Sequence, residues 1–180
     1  MNIAIVGATG NVGRKTLEVL EKKGLTLGNL YLVASSKSAG KKIHFQGKDI
    51  VVSELENFDF SKVKIAFFAA GGKISEKFAE KAAKHCLVID NSSFFRMDPD
   101  VPLIVPQVNS DALNNIKKNI IANPNCSTAQ LVIALKPLHD LFVIKRIVVS
   151  TYQSVSGAGK ASMDELIKQT KLALDGKDIK

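Results

Sequence analysis

This chain has no tryptophan, two tyrosines, two cysteines and three arginines among 180 residues. Each scarcity excludes something. Base reading in nucleic acids leans on arginine forks and aromatic stacking. Here Arg14, Arg96 and Arg146 stand far apart and the aromatics sit in apolar runs. Lys+Arg is 25 against 17 Asp+Glu, a net charge of +8 carried mostly by scattered lysine. We read this excess as a solvated surface with no nucleic-acid partner, able to steer an anionic ligand. Cys86 and Cys126 form no CxxC pair, and His44, His85 and His139 share no metal-ligand spacing with them, so no metal site is expected. Cysteine usage this low fits a reduced, cytoplasmic compartment. No apolar run approaches the roughly 20 residues of a membrane-spanning helix, so no membrane partner is expected. The opening MNIAIVGATG has no basic leader or cleavage site and runs straight into a strand.

What is present is globular: 46% hydrophobic and 23% charged residues, enough for a core without disulfide or metal staples. NIAIV reads as a strand, GATGNVG as a turn, and residues 14–23 as an amphipathic helix through Leu17, Val19 and Leu20, stopped by Gly24. Residues 29–34 read as a second strand. This β-α-β unit predicts a right-handed parallel crossover. Residues 42–54 read as a hairpin about Gln46-Gly47. KIAFFAA (64–70) reads as a buried central strand, residues 73–85 as a helix, and residues 87–90, 102–105 and 119–122 as strands. Residues 127–142 read as a helix with Leu131, Ala134, Leu138 and Leu141 on one side. Residues 143–152 read as a strong strand and residues 162–174 as a helix. One strand and one helix make no core. We therefore expect an α/β fold: residues 1–128 as a Rossmann-like, doubly wound, mostly parallel sheet, and residues 129–180 as the unfinished start of a second, α+β domain.

Gly7, Gly10 and Gly13 fall between a strand and a helix. In that place Gly7 permits a tight turn, Gly10 lets a pyrophosphate approach the backbone and Gly13 permits close helix–strand packing. The helix start favours phosphate. A plain turn is the alternative reading. NAD-binding relatives of this fold end the second strand with an acid that holds the ribose 2′-OH. Here the strand ends Ala34-Ser35-Ser36-Lys37-Ser38 and offers hydroxyls and a lysine instead. That cluster suits a 2′-phosphate, so NADP is expected over NAD; an ordinary polar loop is the alternative.

NPNCST (123–128) ends a strand and opens a helix, which puts Cys126 at a helix N-terminus, where a thiolate is stabilised. It also lies at the carboxyl end of a strand, where ligands bind in such domains. A small buried thiol is the alternative. Cys86 reads as packing. A cysteine beside a nicotinamide suggests one chemistry: thiolate addition, hydride transfer, and a thioester passed to a second nucleophile. A short-chain reductase is disfavoured, because Tyr31 and Tyr152 are followed four residues on by Ser35 and Ser156, not by the lysine of a YxxxK pair.

GATGNVG, ASSKSAGK, DNSSFFRMDPDVPLIVPQVN (90–109), NPNCST and STYQSVSGAGK (150–160), in that order and spacing, resemble aspartate-β-semialdehyde dehydrogenase. The resemblance covers essentially the whole chain. It implies Cys126 as acyl-thioester nucleophile, Asn125 as a positioning group in the active site, and Gln153 as orienting the substrate. It implies Arg96 on the phosphate or acyl phosphate, a role that suits a guanidinium fork. Thr9, Gly10, Asn11 and Val12 would cradle the pyrophosphate, with Lys37 and Ser38 on the 2′-phosphate. Ser156 and Gly157 would touch the nicotinamide end. The implied reaction is reduction of L-aspartyl-4-phosphate by NADPH to the semialdehyde with release of phosphate, a step shared by lysine, threonine, methionine and diaminopimelate biosynthesis.

One departure is Gln107, where the family usually has glutamate. The other is length. Family members run to about twice this size, and their second half carries the histidine acid/base, the residues that hold the amino acid, and most of a homodimer interface. His44, His85 and His139 read as structural or solvated rather than as a substitute base. Two expectations follow: a cofactor-binding, nucleophile-bearing fragment inactive alone, or a non-catalytic nucleotide-binding half that assembles with a complementary C-terminal half.

Overall fold

The computed structural model describes residues 1–179. Its sheet grows outward from β1 (Ile3–Val6), which pairs in parallel with β2 (Leu30–Ala34) on one side and β5 (Ile65–Phe68) on the other. Beyond β2 lies β4 (Lys48–Glu54), and beyond β5 lie β6 (Leu87–Asp90) and β7 (Ile120–Ala122), all parallel. Only β3 (Lys42–Phe45) runs antiparallel, joined to β4 through Gln46 (φ 46°) and Gly47 (φ 77°). Two consecutive left-handed residues match the turn a two-residue hairpin prefers. The seven-stranded order β3-β4-β2-β1-β5-β6-β7 bears out the doubly wound, mostly parallel α/β class.

Side chains alternate across β1, so each sheet face collects its own core. Ile5 joins Leu32, Ala34 and Val52 beneath Leu17 and Leu20 of α1 (Asn11–Lys22). Ala4 and Val6 join Val33, Phe68, Val88 and Ile120 against Phe78, Ala79 and Ala82 of α2 (Gly72–Ala83). Helices on opposite faces bury the near-continuous apolar strands of a parallel sheet on both sides. Gly24, at φ 60°, follows α1 in the left-handed conformation expected of a helix stop.

Two expected strands do not form. Residues 102–105 make a single parallel bridge, Leu103 to Ala122. Pro102 has no N–H to donate to a ladder and Pro106 opens the short α3 (Pro106–Asn109). Residues 143–152 form no strand, although their composition is strongly β-like. Val143 leaves α4 (Cys126–Phe142) in a left-handed conformation, φ 54°, and the residues after it have no ladder partner. α4 itself forms as expected, but none of its residues is buried; Leu138 and Leu141 are 48% and 73% exposed.

The chain separates into two compact units, Met1–Ile147 and Val148–Lys180. Residue 128, where the sequence suggested a division, lies inside α4. The second unit consists of an extended segment, a short turn at Val155–Ala158, and α5 (Lys160–Leu174). Among the described residues no helix is long and apolar enough to cross a membrane.

Candidate active site

The strand order reverses at β1: the chain proceeds from β1 to β2 and β4 on one side, and returns through β5, β6 and β7 on the other. In open α/β sheets ligands occupy the crevice at the carboxyl ends of the strands at such a switch. The candidate residues of the first unit all lie at those ends.

Gly7 follows β1 with φ 86°, and a Cβ there would fall 2.8 Å from the carbonyl carbon and oxygen of Ala69. A Cβ on Gly13 would fall 2.3 Å from the Gly7 carbonyl oxygen. Both positions therefore admit glycine alone. Gly10 caps α1 without a side-chain acceptor for the first-turn amides, which leaves that end of the helix open to an external anion. Thr9 Oγ1 lies 3.3 Å from Ser38 Oγ and ties this loop to the one after β2, and Arg14 Nε donates to the Thr9 carbonyl at 3.2 Å. The second loop closes as a turn, Ser38 N to Ser35 O at 2.9 Å, with Ser35 and Lys37 exposed. Residues 35–41 contain no carboxylate. This donor set of hydroxyls, amides and lysine fits a phosphorylated dinucleotide.

On the other flank β7 ends at Ala122 and α4 begins at Cys126. Asn125 caps α4: its Oδ1 accepts from Ser127 N at 3.0 Å and Ser127 Oγ at 2.6 Å. Cys126 Sγ approaches the same oxygen at 3.8 Å and is exposed. The exposure removes the buried-thiol alternative at this position. Cys86 is the buried thiol: 4% exposed, its Sγ donating to the Ala82 carbonyl, and pushed up to about 11 by burial.

Arg96 is gripped from two sides. Its Nε donates to the Asn123 carbonyl at 3.0 Å and its Nη2 to the Asn91 carbonyl at 3.3 Å. Asn123 Nδ2 also donates to Asn91 Oδ1, so the turns after β6 and β7 close on one another. The guanidinium thus hangs on the residue three before Cys126 in the chain. Asn91 and Asn123 escaped the residue-by-residue reading, although both sit inside the motifs DNSS and NPNCST. Ser92, Ser75 and Asp90 were missed too: the Ser75–Asp90 bond joins side chains 15 residues apart, and the Asp90–Ser92 pair is a side-chain turn that leaves no periodic signal.

Gln153, Ser156 and Gly157 belong to the second unit. Gln153 is exposed, and Ser156 N donates to Ser154 Oγ at 3.2 Å within the turn. His44, His85 and His139 are exposed, and His44 Nδ1 lies 2.9 Å from Asp49 Oδ1. Among the described residues no group of three His, Cys, Asp or Glu side chains gathers to hold a metal ion.

Comparison with known proteins finds two family matches along the chain. Residues 2–116 match the semialdehyde dehydrogenase NAD-binding domain, and residues 135–180 match the semialdehyde dehydrogenase dimerisation domain. The aspartate-semialdehyde dehydrogenase of Rickettsia bellii is 53% identical over 172 residues, covering 94% of this chain and 51% of that protein. Aspartate-semialdehyde dehydrogenase 2 of Vibrio cholerae is 53% identical over 177 residues, covering 97% and 52%. A crystal structure of the Vibrio cholerae aspartate semialdehyde dehydrogenase II complexed with ASA superposes with a TM-score of 0.93 at 51% identity, over 99% of this chain and 54% of that one. The Candida albicans aspartate semialdehyde dehydrogenase with NADP gives 0.64 at 29% identity, over 79% and 48%. The chain spans about half the length of these relatives. With its switch-point glycine loop, its exposed helix-start cysteine and the match over residues 2–116, the chain belongs to the semialdehyde dehydrogenase family, and its resemblance to the aspartate-semialdehyde dehydrogenases is borne out.

Proposed function

We propose that this chain is the cofactor-binding, nucleophile-bearing part of an NADP-dependent aspartate-semialdehyde dehydrogenase. The carrying observation is the juxtaposition at the ends of β6 and β7: an exposed cysteine on the first residue of a 17-residue helix, with a guanidinium anchored on the carbonyl of Asn123. A helix N-terminus favours anionic groups placed beside it. Asn125, locked by Ser127, holds that start in place. In the proposed step Cys126 sulfur attacks the acyl carbon of L-aspartyl-4-phosphate. A carbon–sulfur bond forms, the carbon–oxygen bond to phosphate breaks, and the departing phosphate takes the electron pair beside Arg96. NADPH, when bound, supplies the hydride that turns this thioester into the semialdehyde and frees the thiolate. Residues 7–13 would hold the pyrophosphate, Ser35, Lys37 and Ser38 the 2′-phosphate, and Ser156 and Gly157 the nicotinamide end. Gln153 would orient the substrate. The NADP complex of the Candida relative supports this cofactor.

The acid/base and the amino-acid-binding residues implied by the resemblance belong to the half that these 180 residues do not span. The chain alone is expected to bind NADPH without turnover. A second reading, a nucleotide-binding half that assembles with a complementary C-terminal half, is favoured by the exposed apolar residues Leu141, Phe142 and Ile147 of the first unit and Val148 and Tyr152 of the second. One assay serves both readings: reduction of NADP by semialdehyde and phosphate, measured with the chain alone and with the second half of an aspartate-semialdehyde dehydrogenase added. We expect no activity alone, activity on mixing, and loss of that activity in Cys126→Ser. Activity that survives Cys126→Ser sinks the covalent reading. A mixture in which the halves associate without turnover leaves only the non-catalytic one.

A further inference from the structure

Among the described residues Asp90 is the only charged side chain in the buried interior, with 0% exposure, and the groups that donate to its carboxylate are serine hydroxyls and an amide. An unpaired buried carboxylate is costly unless hydrogen bonds replace its hydration. Three do. Oδ1 accepts from Ser75 Oγ at 2.6 Å and from Ser92 N at 3.1 Å, and Oδ2 accepts from Ser92 Oγ at 2.7 Å. Ser92 Oγ in turn accepts from Phe94 N at 3.1 Å. The carboxylate therefore clamps the turn that leaves β6, and the Ser75 bond ties the same carboxylate to α2. An apolar residue here would leave the buried Ser75 hydroxyl and the Ser92 amide without this acceptor.

What the clamp holds is the mount of Arg96. The Asn91 carbonyl that receives Nη2 is the next residue, and the Asp90 carbonyl accepts from Asn123 N at 3.1 Å, fixing the segment whose carbonyl receives Nε. The Asn91 support thus directly follows the clamped residue, and the Asn123 support is tied to the main chain of that same residue. We propose that Asp90 is a positioning residue for oxyanion recognition, holding Arg96 through Ser92 in the pose that receives phosphate or an acyl phosphate. This rests on the reading of Arg96 given above and deepens it.

The test uses the native chain and inorganic phosphate at constant ionic strength. Iodoacetamide alkylation of exposed Cys126 is followed by intact mass, together with the melting temperature. Phosphate on Arg96 should protect the thiol saturably, and Arg96→Ala should abolish protection. Ser92→Ala should raise the half-protecting phosphate concentration by roughly tenfold, the effect of losing a hydrogen bond to a charged group, with Ser92→Thr restoring it. Asp90→Asn should act in the same direction; if it does not fold, the Ser92 pair decides. Ser75→Ala cuts only the α2 arm and should lower melting without moving the phosphate midpoint. Wild-type protection in Ser92→Ala, with protection lost in Arg96→Ala, overturns the positioning role and leaves the Arg96 reading standing. No protection in the wild-type chain, or full protection in Arg96→Ala, overturns the Arg96 reading and the positioning role with it.

Discussion

Ser38 stands among hydroxyls at the end of β2, where an NAD-selective fold of this class would present an acid to the ribose. Its hydroxyl lies on Thr9 of the glycine loop, so the loops after β1 and β2 meet there. A carboxylate at this point would repel a 2′-phosphate at close range. Ser38→Asp is expected to weaken NADPH binding by about tenfold or more while NADH binding holds or improves, as read by nucleotide fluorescence titration. Equal loss of both nucleotides would mean that the loop–loop contact, not charge, was disturbed. The glycines beside it were legible for a related reason. Gly7 and Gly13 face backbone at 2.8 and 2.3 Å, and a requirement that strict shows directly as a residue type.

At the scale of the element, α4 begins at Cys126, the proposed nucleophile, and depends on its cap. Asn125 Oδ1 satisfies the Ser127 amide and hydroxyl together, and no α4 residue is buried to compensate for a lost cap. Asn125→Ala should cost about 1 kcal/mol, the usual effect of removing a polar N-cap, measured by urea unfolding, with fraying of the helix start seen as faster amide exchange near Cys126. Unchanged exchange there would assign the order of this turn to the β7 end rather than to the cap. The Asn-Pro-Asn-Cys-Ser pattern made this boundary readable, because cap chemistry is local. The residues after α4 were misread as a strand for the opposite reason: β-rich composition expresses fitness for a pleated surface, and a ladder partner lies elsewhere in a chain or not within it.

For the whole molecule, the second thiol links the core to pH. Burial pushes folded Cys86 up to about 11 from an ordinary value of 9.0. Below pH 9 both folded and unfolded thiols are neutral and the residue adds no pH dependence. Between about 9 and 11 the unfolded chain sheds a proton that the folded chain keeps, so stability falls as pH rises through that window. Urea unfolding across it should show a decline in the native chain that is shallower in Cys86→Ala. Parallel declines in both would assign the alkaline loss to the lysine-rich surface.

The sequence by itself determined the strand–turn–helix units, the glycine loop, the absence of an acid after β2 and the helix-start cysteine. Each is a property of a few adjacent residues, written in their spacing, sterics and capping chemistry. Only the tertiary structure decided that Thr9 meets Ser38, that Arg96 hangs on Asn91 and Asn123, and that a buried Asp90 ties the turn after β6 to α2. The Thr9–Ser38, Arg96–Asn123 and Ser75–Asp90 contacts join residues 15 to 29 apart, brought together by the folded sheet, and such pairing leaves no trace in local periodicity.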